Sequence, residues 1–270
     1  MFSPAARELG PWSVSKAKLA GTCMLAWSWK YRAKIPERPS AVTRIGVGAH
    51  TVLERMERGD GAETALAAAD KAHALTPEER AGVERLIGSM QSFMETLQSF
   101  RARTAITAEL FEAKLGLSAD LEPTEFFAAD VFFRGAWDAA FVLASGTAAI
   151  LDHKSSVRKD LKWHAAQLRS YAVMALAHYP ELRRVWPAIH FLGDAEVVWG
   201  APALAEDIRG GMRAWFIAWI NEAAEKASQP DPQPTVSKFC GVCGYLDRCP
   251  AHSLEAAGER LITLSTRRRP

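Results

Sequence analysis

Gly135-Ala136-Trp137-Asp138 and Asp152-His153-Lys154, joined by the apolar run Ala139 to Leu151, decide how this chain is read. The run breaks only at Ala144-Ser145-Gly146, so it reads as strand, tight turn, strand. A three-residue loop puts Gly146 where a positive φ is needed. In that register Asp138 faces Asp152. Side chains alternate along a strand, so Asp138, Asp152 and Lys154 share one face. Like charges directly opposite each other destabilise a hairpin. A divalent cation is the usual reason for such a pair. The alternative is a salt-bridged, exposed strand end. The buried character of Ala148-Ala149-Ile150-Leu151 weighs against it, because polar residues arrive abruptly at the end of an apolar strand, where active sites often sit.

Outward from the hairpin, the chain reads as α/β. Upstream, a helix starts near Ser15 and runs past Cys23 and Trp29 to the Pro36 and Pro39 breaks. A second helix from Ala41 holds Gly46-Val47-Gly48-Ala49-His50. Thr76-Pro77-Glu78-Glu79 is a strong helix start. Val83, Leu86, Ile87, Met90, Phe93, Met94, Leu97 and Phe100 follow at spacings of three and four, as on one amphipathic helix. Ala105 to Lys114 and Ala129 to Lys154 read as strands. Leu161 to Tyr179 reads as helix, Val185 to Leu192 and Glu196 to Trp199 as strands, and Ala203 to Lys226 as a long helix. The Pro-rich Ser228 to Pro234 is an extended linker. A cysteine-bearing loop, a short helix and the basic Arg267-Arg268-Arg269 close the chain. The layout is an α/β core with a helical insertion.

The chain has 270 residues, 49% of them apolar, with a formal net charge of +2. That supports a real core and only permits nucleic-acid binding. No apolar run approaches the roughly 20 residues that span a bilayer. Met1 to Gly10 lacks the apolar core of a signal peptide. The expectation is a cytoplasmic protein with no membrane partner, whose four cysteines are not in disulfides.

Four constellations carry chemistry. Asp138 and Asp152 offer hard oxygen ligands for Mg²⁺ or Mn²⁺, and Lys154 a cation beside an attacked phosphate. Cys240, Cys243 and Cys249 form C-x2-C-x5-C, with Cys23 far upstream. Zinc is possible, but three clustered thiolates and a remote partner suit a four-iron cluster better. Unrelated buried cysteines are the remaining option. Gln167 and Tyr171 share a helix face beside Lys159, Lys162, Trp163 and Arg169. They suit a phosphate or base contact, or simply a half-exposed amphipathic helix. His50 is either structural or a neutral imidazole completing a metal site.

These elements, in this order, resemble the RecB-like branch of the PD-(D/E)XK nucleases, specifically its iron–sulfur group. That group includes CRISPR-adaptation exonucleases, AddB-type nuclease domains and phage-encoded relatives. Gly46-Val47-Gly48-Ala49-His50 is similar to the family's Gly-x-x-x-His element, Gly135 to Asp138 to its Gly-x-x-Asp strand, and Asp152-His153-Lys154 to its Asp-Tyr-Lys signature. Gln167-Leu168-Arg169-Ser170-Tyr171 resembles its Gln-x-x-x-Tyr motif, and the four cysteines its cluster ligands. The chain departs from the family at Met24, where a proline usually follows the first cysteine, and at His153, where an aromatic is usual.

The resemblance implies a restriction-endonuclease-like core within one nuclease domain over 1–270. Residues 52–103 would be the helical insertion and 237–252 the cluster segment. It also implies a DNA exonuclease acting on single strands or ends with Mg²⁺ or Mn²⁺ and a structural 4Fe-4S cluster. His50, Asp138, Asp152 and the His153 carbonyl would hold the metal. Lys154 would be catalytic, with Gln167 and Tyr171 positioning DNA and Glu109 supporting, although Glu112 competes for that last place. Expected partners are DNA and recombination or integrase proteins. The rival expectation is a non-catalytic DNA-binding or assembly subunit of the same fold.

Overall fold

A computed structural model of the chain describes residues 1–157 and 160–252. Lys159 and the basic Arg267 to Arg269 lie outside the described residues, as does any helix after 252. The chain opens with α1 (Pro4–Glu8) and the short strand β1 (Trp12–Ser13). Ser13, and not Ser15, caps α2 (Val14–Thr22): its hydroxyl accepts the Lys16 N–H at 3.2 Å. The expected continuous helix breaks at Cys23, whose φ of −156° and ψ of 108° are extended. The short α3 (Met24–Trp27) and a π-helical turn, Ser28–Arg32, follow.

Four helices come next: α4 (Ala41–Glu57), α5 (Ala62–His73), α6 (Pro77–Glu84) and α7 (Ile87–Arg103). The α6 start has the capping box its sequence announces. Thr76 Oγ1 accepts the Glu79 N–H at 3.3 Å, and Glu79 Oε2 accepts the Thr76 N–H at 2.9 Å. The run from Val83 to Phe100 is two helices, not one. Apolar spacing is blind to the break at Arg85-Leu86, because Val83, Leu86, Met90, Phe93 and Leu97 are buried on both sides of it.

Strands β2 (Ile106–Leu117), β3 (Pro123–Thr124), β4 (Phe133–Leu143) and β5 (Thr147–Lys154) lead through a 3-10 turn, Leu161–His164, to α8 (Ala165–His178). Then come β6 (Arg184–Phe191), β7 (Glu196–Trp199), β8 (Ala203–Leu204) and α9 (Ala205–Asp207). A π-helical turn at Ile208–Met212 and α10 (Arg213–Ala227) follow, then 3-10 turns at Lys238–Val242 and Leu246–Arg248 in the cysteine-bearing loop. The long helix expected from Ala203 thus begins as a strand and passes through a π turn carrying Gly210-Gly211.

The sheet order is β3-β2-β4-β5-β6-β7, with β1 beside β4 and β8 beside β6. The β2, β4 and β5 strands are antiparallel, and β5 and β6 parallel with α8 as the crossover. The β4–β5 hairpin has the expected register, from Leu143 opposite Thr147 to Ala139 opposite Leu151. Gly146 closes it at φ +74°. Asp138 and Asp152 stand one position past the last pair.

The sheet separates two large cores, and the paired hairpin residues 139–151 are divided between them by parity. Ala140, Val142, Ala148 and Ile150 pack with Trp12, Trp137, Met174 and Phe216, on the side of α2, α8 and α10. Ala139, Phe141, Ala149 and Leu151 pack with Leu53, Met90 and Phe93, on the side of α4 to α7. Burying each large side chain contributes roughly 1.5–3 kcal/mol. At Gly135, α8 comes so near that an added Cβ would lie 2.6 Å from Met174 Sδ. That close approach sets α8 directly over the end of the hairpin.

Candidate active site

His50 on α4, Glu112 on β2 and Asp138 on β4 converge, with ligand atoms all within 4.8 Å of one another. His50 Nδ1 lies 3.7 Å from Glu112 Oε1 and 3.7 Å from Asp138 Oδ1. His50 Nε2 lies 3.0 Å from the His153 carbonyl oxygen and donates to it. That bond turns Nδ1 toward the carboxylates, the usual way an outer partner orients a ligating histidine. Glu112 sits opposite Asp138, between the pairs Phe111–Ala139 and Ala113–Trp137. Its φ is +48°. A non-glycine residue there stores about 1–3 kcal/mol of strain, a feature that clusters at functional sites.

Asp138 Oδ2 accepts the His153 N–H at 2.6 Å. Burial and the Asp152 charge push the Asp138 carboxyl up to about 7, against the opposing pull of His50, the His153 N–H and Lys154. Burial pulls His50 down, but Glu112, Asp138 and Asp152 outweigh it and raise the imidazole to about 9. Without a cation the cluster thus retains protons. A bound divalent ion would replace them.

Asp152 is the hub beside it. Its Oδ1 accepts from Tyr171 Oη at 2.8 Å and Gln167 Nε2 at 2.5 Å, and Gln167 also donates to Tyr171 Oη at 2.8 Å. Its Oδ2 lies 2.5 Å from Lys154 Nζ. That oxygen is buried, and the Lys154 ammonium is its partner. Burial lowers the Lys154 ammonium, but Asp152 and Asp138 outweigh it and hold it above its ordinary value.

Behind the hairpin lies a buried polar pocket that the sequence did not announce. The His153 ring does not enter the site. Its Nδ1 lies 3.0 Å from His190 Nδ1 and its Nε2 3.8 Å from Glu57 Oε1. Phe93 stacks on His190 at 4.6 Å and meets the His153 ring edge-on at 5.2 Å. His153 is therefore a packed ring in an aromatic place. Burial holds it well below its ordinary value and takes His190 to about 4, so both are neutral. Burial, then Glu112, Asp138 and Glu54, push Glu57 up to about 9. The one signal for Glu57 was its place two helical turns beyond His50.

Glu109 is not brought to the centre: Arg101 holds it, with Nη2 2.5 Å from Oε2. Glu112 stands where Glu109 was expected. The two differ by three residues, an odd step that changes faces in a regular strand, and the twist at Glu112 breaks that regularity.

The four cysteines and part of the active site share one cavity of about 530 Å³. Cys23, Cys240, Cys243 and Cys249 line it together with Lys154 and Gln167. Burial raises the Cys243 thiol, and the other three cysteines add to the shift. The loop is docked on the segment after α3. Arg38 N–H donates to Gly244 O at 3.2 Å, Arg38 Nη1 to Asp247 Oδ2 at 2.9 Å, and Tyr245 Oη to Ile35 O at 2.9 Å. A Cβ at Gly244 would lie 2.6 Å from Arg38 O.

This chain belongs to the PD-(D/E)XK nuclease superfamily, whose family model matches residues 11–250. The mixed sheet between helices agrees with a restriction-endonuclease-like fold, and the family implies metal-dependent nuclease activity with DNA as substrate. No curated protein matches the sequence. The solved structure "Crystal structure of SSO0001" is similar at 14% identity over 76% of this chain and 85% of that one, with a TM-score of 0.33. A likeness that loose carries no argument. Among the described residues, no helix is long and apolar enough to cross a membrane.

Proposed function

We propose that this protein is a Mg²⁺- or Mn²⁺-dependent deoxyribonuclease of the RecB-like iron–sulfur group, an exonuclease on single-stranded DNA or DNA ends. The observation that carries the reading is the convergence of His50, Glu112 and Asp138 beside the Asp152–Lys154 pair. His50 Nδ1, the Glu112, Asp138 and Asp152 carboxylates and the His153 carbonyl are the donors that would hold the ion. Such an ion, when bound, polarises a scissile phosphate and lowers the pKa of an attacking water. Lys154 remains charged and is fixed by Asp152, so it stands ready to offset negative charge building on the phosphate. Gln167 and Tyr171 act through Asp152: both donate to Oδ1, which turns Oδ2 toward Lys154. They are positioning residues in addition to any contact with DNA.

The cysteines are assigned to a structural 4Fe-4S cluster over segment 237–252. Their shared cavity supports this, and thiolates suit soft iron. The helices within 52–103 are assigned as an insertion covering the α4 side of the sheet.

The test is degradation of end-labelled single-stranded DNA with Mn²⁺, on substrates with blocked 5′ or 3′ ends, beside Asp152→Ala and Lys154→Ala. The wild type should degrade at least one substrate, and both variants should be inactive. Wild-type protein that binds DNA but never cuts it would favour the binding or assembly subunit. Anaerobically purified protein should be brown. Colourless protein with stoichiometric zinc would overturn the cluster assignment.

A further inference from the structure

We infer that Trp163 and Phe239 form a stacking platform for the unpaired bases of the single-stranded DNA that is delivered to Lys154, with Lys18, Lys162 and Lys238 on its phosphates. The inference rests on the nuclease reading and names the substrate form that reading leaves open. The two rings meet edge to face at 5.8 Å. Each is 44% exposed.

Their place in the chain links the two functional regions. Trp163 precedes His164, and Phe239 precedes Cys240. His164 and Phe239 both line the cavity that reaches Lys154 and Gln167 at one side and the cysteines at the other. The pair therefore lies on the rim between the candidate catalytic lysine and the cysteine loop.

The charged side chains in contact with the pair are lysines. Lys238 Nζ sits 2.9 Å from the Trp163 ring centroid, and Lys18 Nζ donates to the Trp163 carbonyl at 2.9 Å. Burial lowers the Lys18 ammonium first and the nearby Lys154 charge lowers it further, which places it beside the active site. The acids close by are engaged: Asp160 lies 3.8 Å from Lys162 and Glu37 is paired with Lys30. Exposed aromatic faces interleaved with lysines suit a single strand, since every base has a π-face and each nucleotide brings one negative phosphate. A duplex keeps its base faces stacked inside and gains nothing from such rings. In the free protein Lys238 covers the indole face. A stacked base takes that face and Lys238 moves to the phosphate.

The alternative role for the pair is a clip between the cysteine segment and the turn before α8. Binding to a labelled oligo-dT, measured by fluorescence anisotropy in chelator so that no cleavage occurs, separates the two roles. Trp163→Leu keeps apolar bulk without a π-face and should weaken binding about tenfold. Trp163→Tyr should stay within about twofold of wild type. Lys238→Ala should make the salt dependence shallower, by about 0.7 in the log–log slope for one lost phosphate contact. A blunt duplex of the same length should bind wild type, Trp163→Leu and Trp163→Tyr alike. Equal oligo-dT affinity for Trp163→Leu and wild type overturns the platform, and if the wild type still cleaves with Mn²⁺ the nuclease reading stands. Wild-type protein that neither binds nor cleaves overturns both.

Discussion

Glu112 shows most clearly how the site is built. Asp138 and Asp152 were legible because strand parity and turn length place them. Glu112 was legible only as a rival to Glu109, because its side chain reaches the centre through a left-handed twist no local pattern encodes. If Glu112 is a ligand, Glu112→Gln should lower Mn²⁺ affinity about 10- to 100-fold by calorimetry, while Glu109→Gln should leave it within twofold. The reverse order would restore the expectation drawn from sequence.

Glu57 gives a residue-scale pH effect. Its folded-state carboxyl, about 9, lies above the ordinary 4.5, so the fold favours the protonated form. Stability from this group is complete below about pH 4.5 and is lost as pH rises toward about 9, at most ~1.4 kcal/mol per pH unit. Glu57→Gln removes that dependence. In chelator the variant should unfold at higher urea than wild type at pH 8, with the gap closing toward pH 5. A gap that widens on acidification would contradict the buried, protonated carboxyl.

At the scale of elements, the hairpin is the part the sequence specifies best. Its register follows from the turn, and both strand faces are apolar because both are buried. Breaks within helices were not legible. At Cys23 and at Arg85-Leu86 the apolar spacing continues while the backbone does not, since tertiary packing accepts two short helices as readily as one long one. The α6 cap was legible because Thr76 and Glu79 satisfy each other locally. Thr76→Ala should cost about 1 kcal/mol in urea unfolding without changing the m-value. No loss would mean that the cap contributes nothing.

For the whole molecule, the cysteine loop docks on residues 35–38, about two hundred positions upstream. The sequence showed four cysteines with suggestive spacing. It did not show that they share a cavity with Lys154 and Gln167, which depends on the loop docking against residues 35–38. Gly244 permits that docking. Gly244→Leu should push the loop away from Arg38 and speed limited proteolysis within residues 228–240, while far-UV circular dichroism stays unchanged. Proteolysis at the wild-type rate would mean that the contact is incidental.

The central claim is that one cluster holds the ion while a separate lysine serves the reaction. It is tested most directly by measuring Mn²⁺ binding and single-stranded DNA cleavage together on wild type, Lys154→Ala and Asp138→Ala. Lys154→Ala should bind Mn²⁺ within a few-fold of wild type yet cleave at least 100-fold more slowly, whereas Asp138→Ala should lose both. Cleavage by Lys154→Ala at the wild-type rate, or Mn²⁺ bound undiminished by Asp138→Ala, would contradict the account.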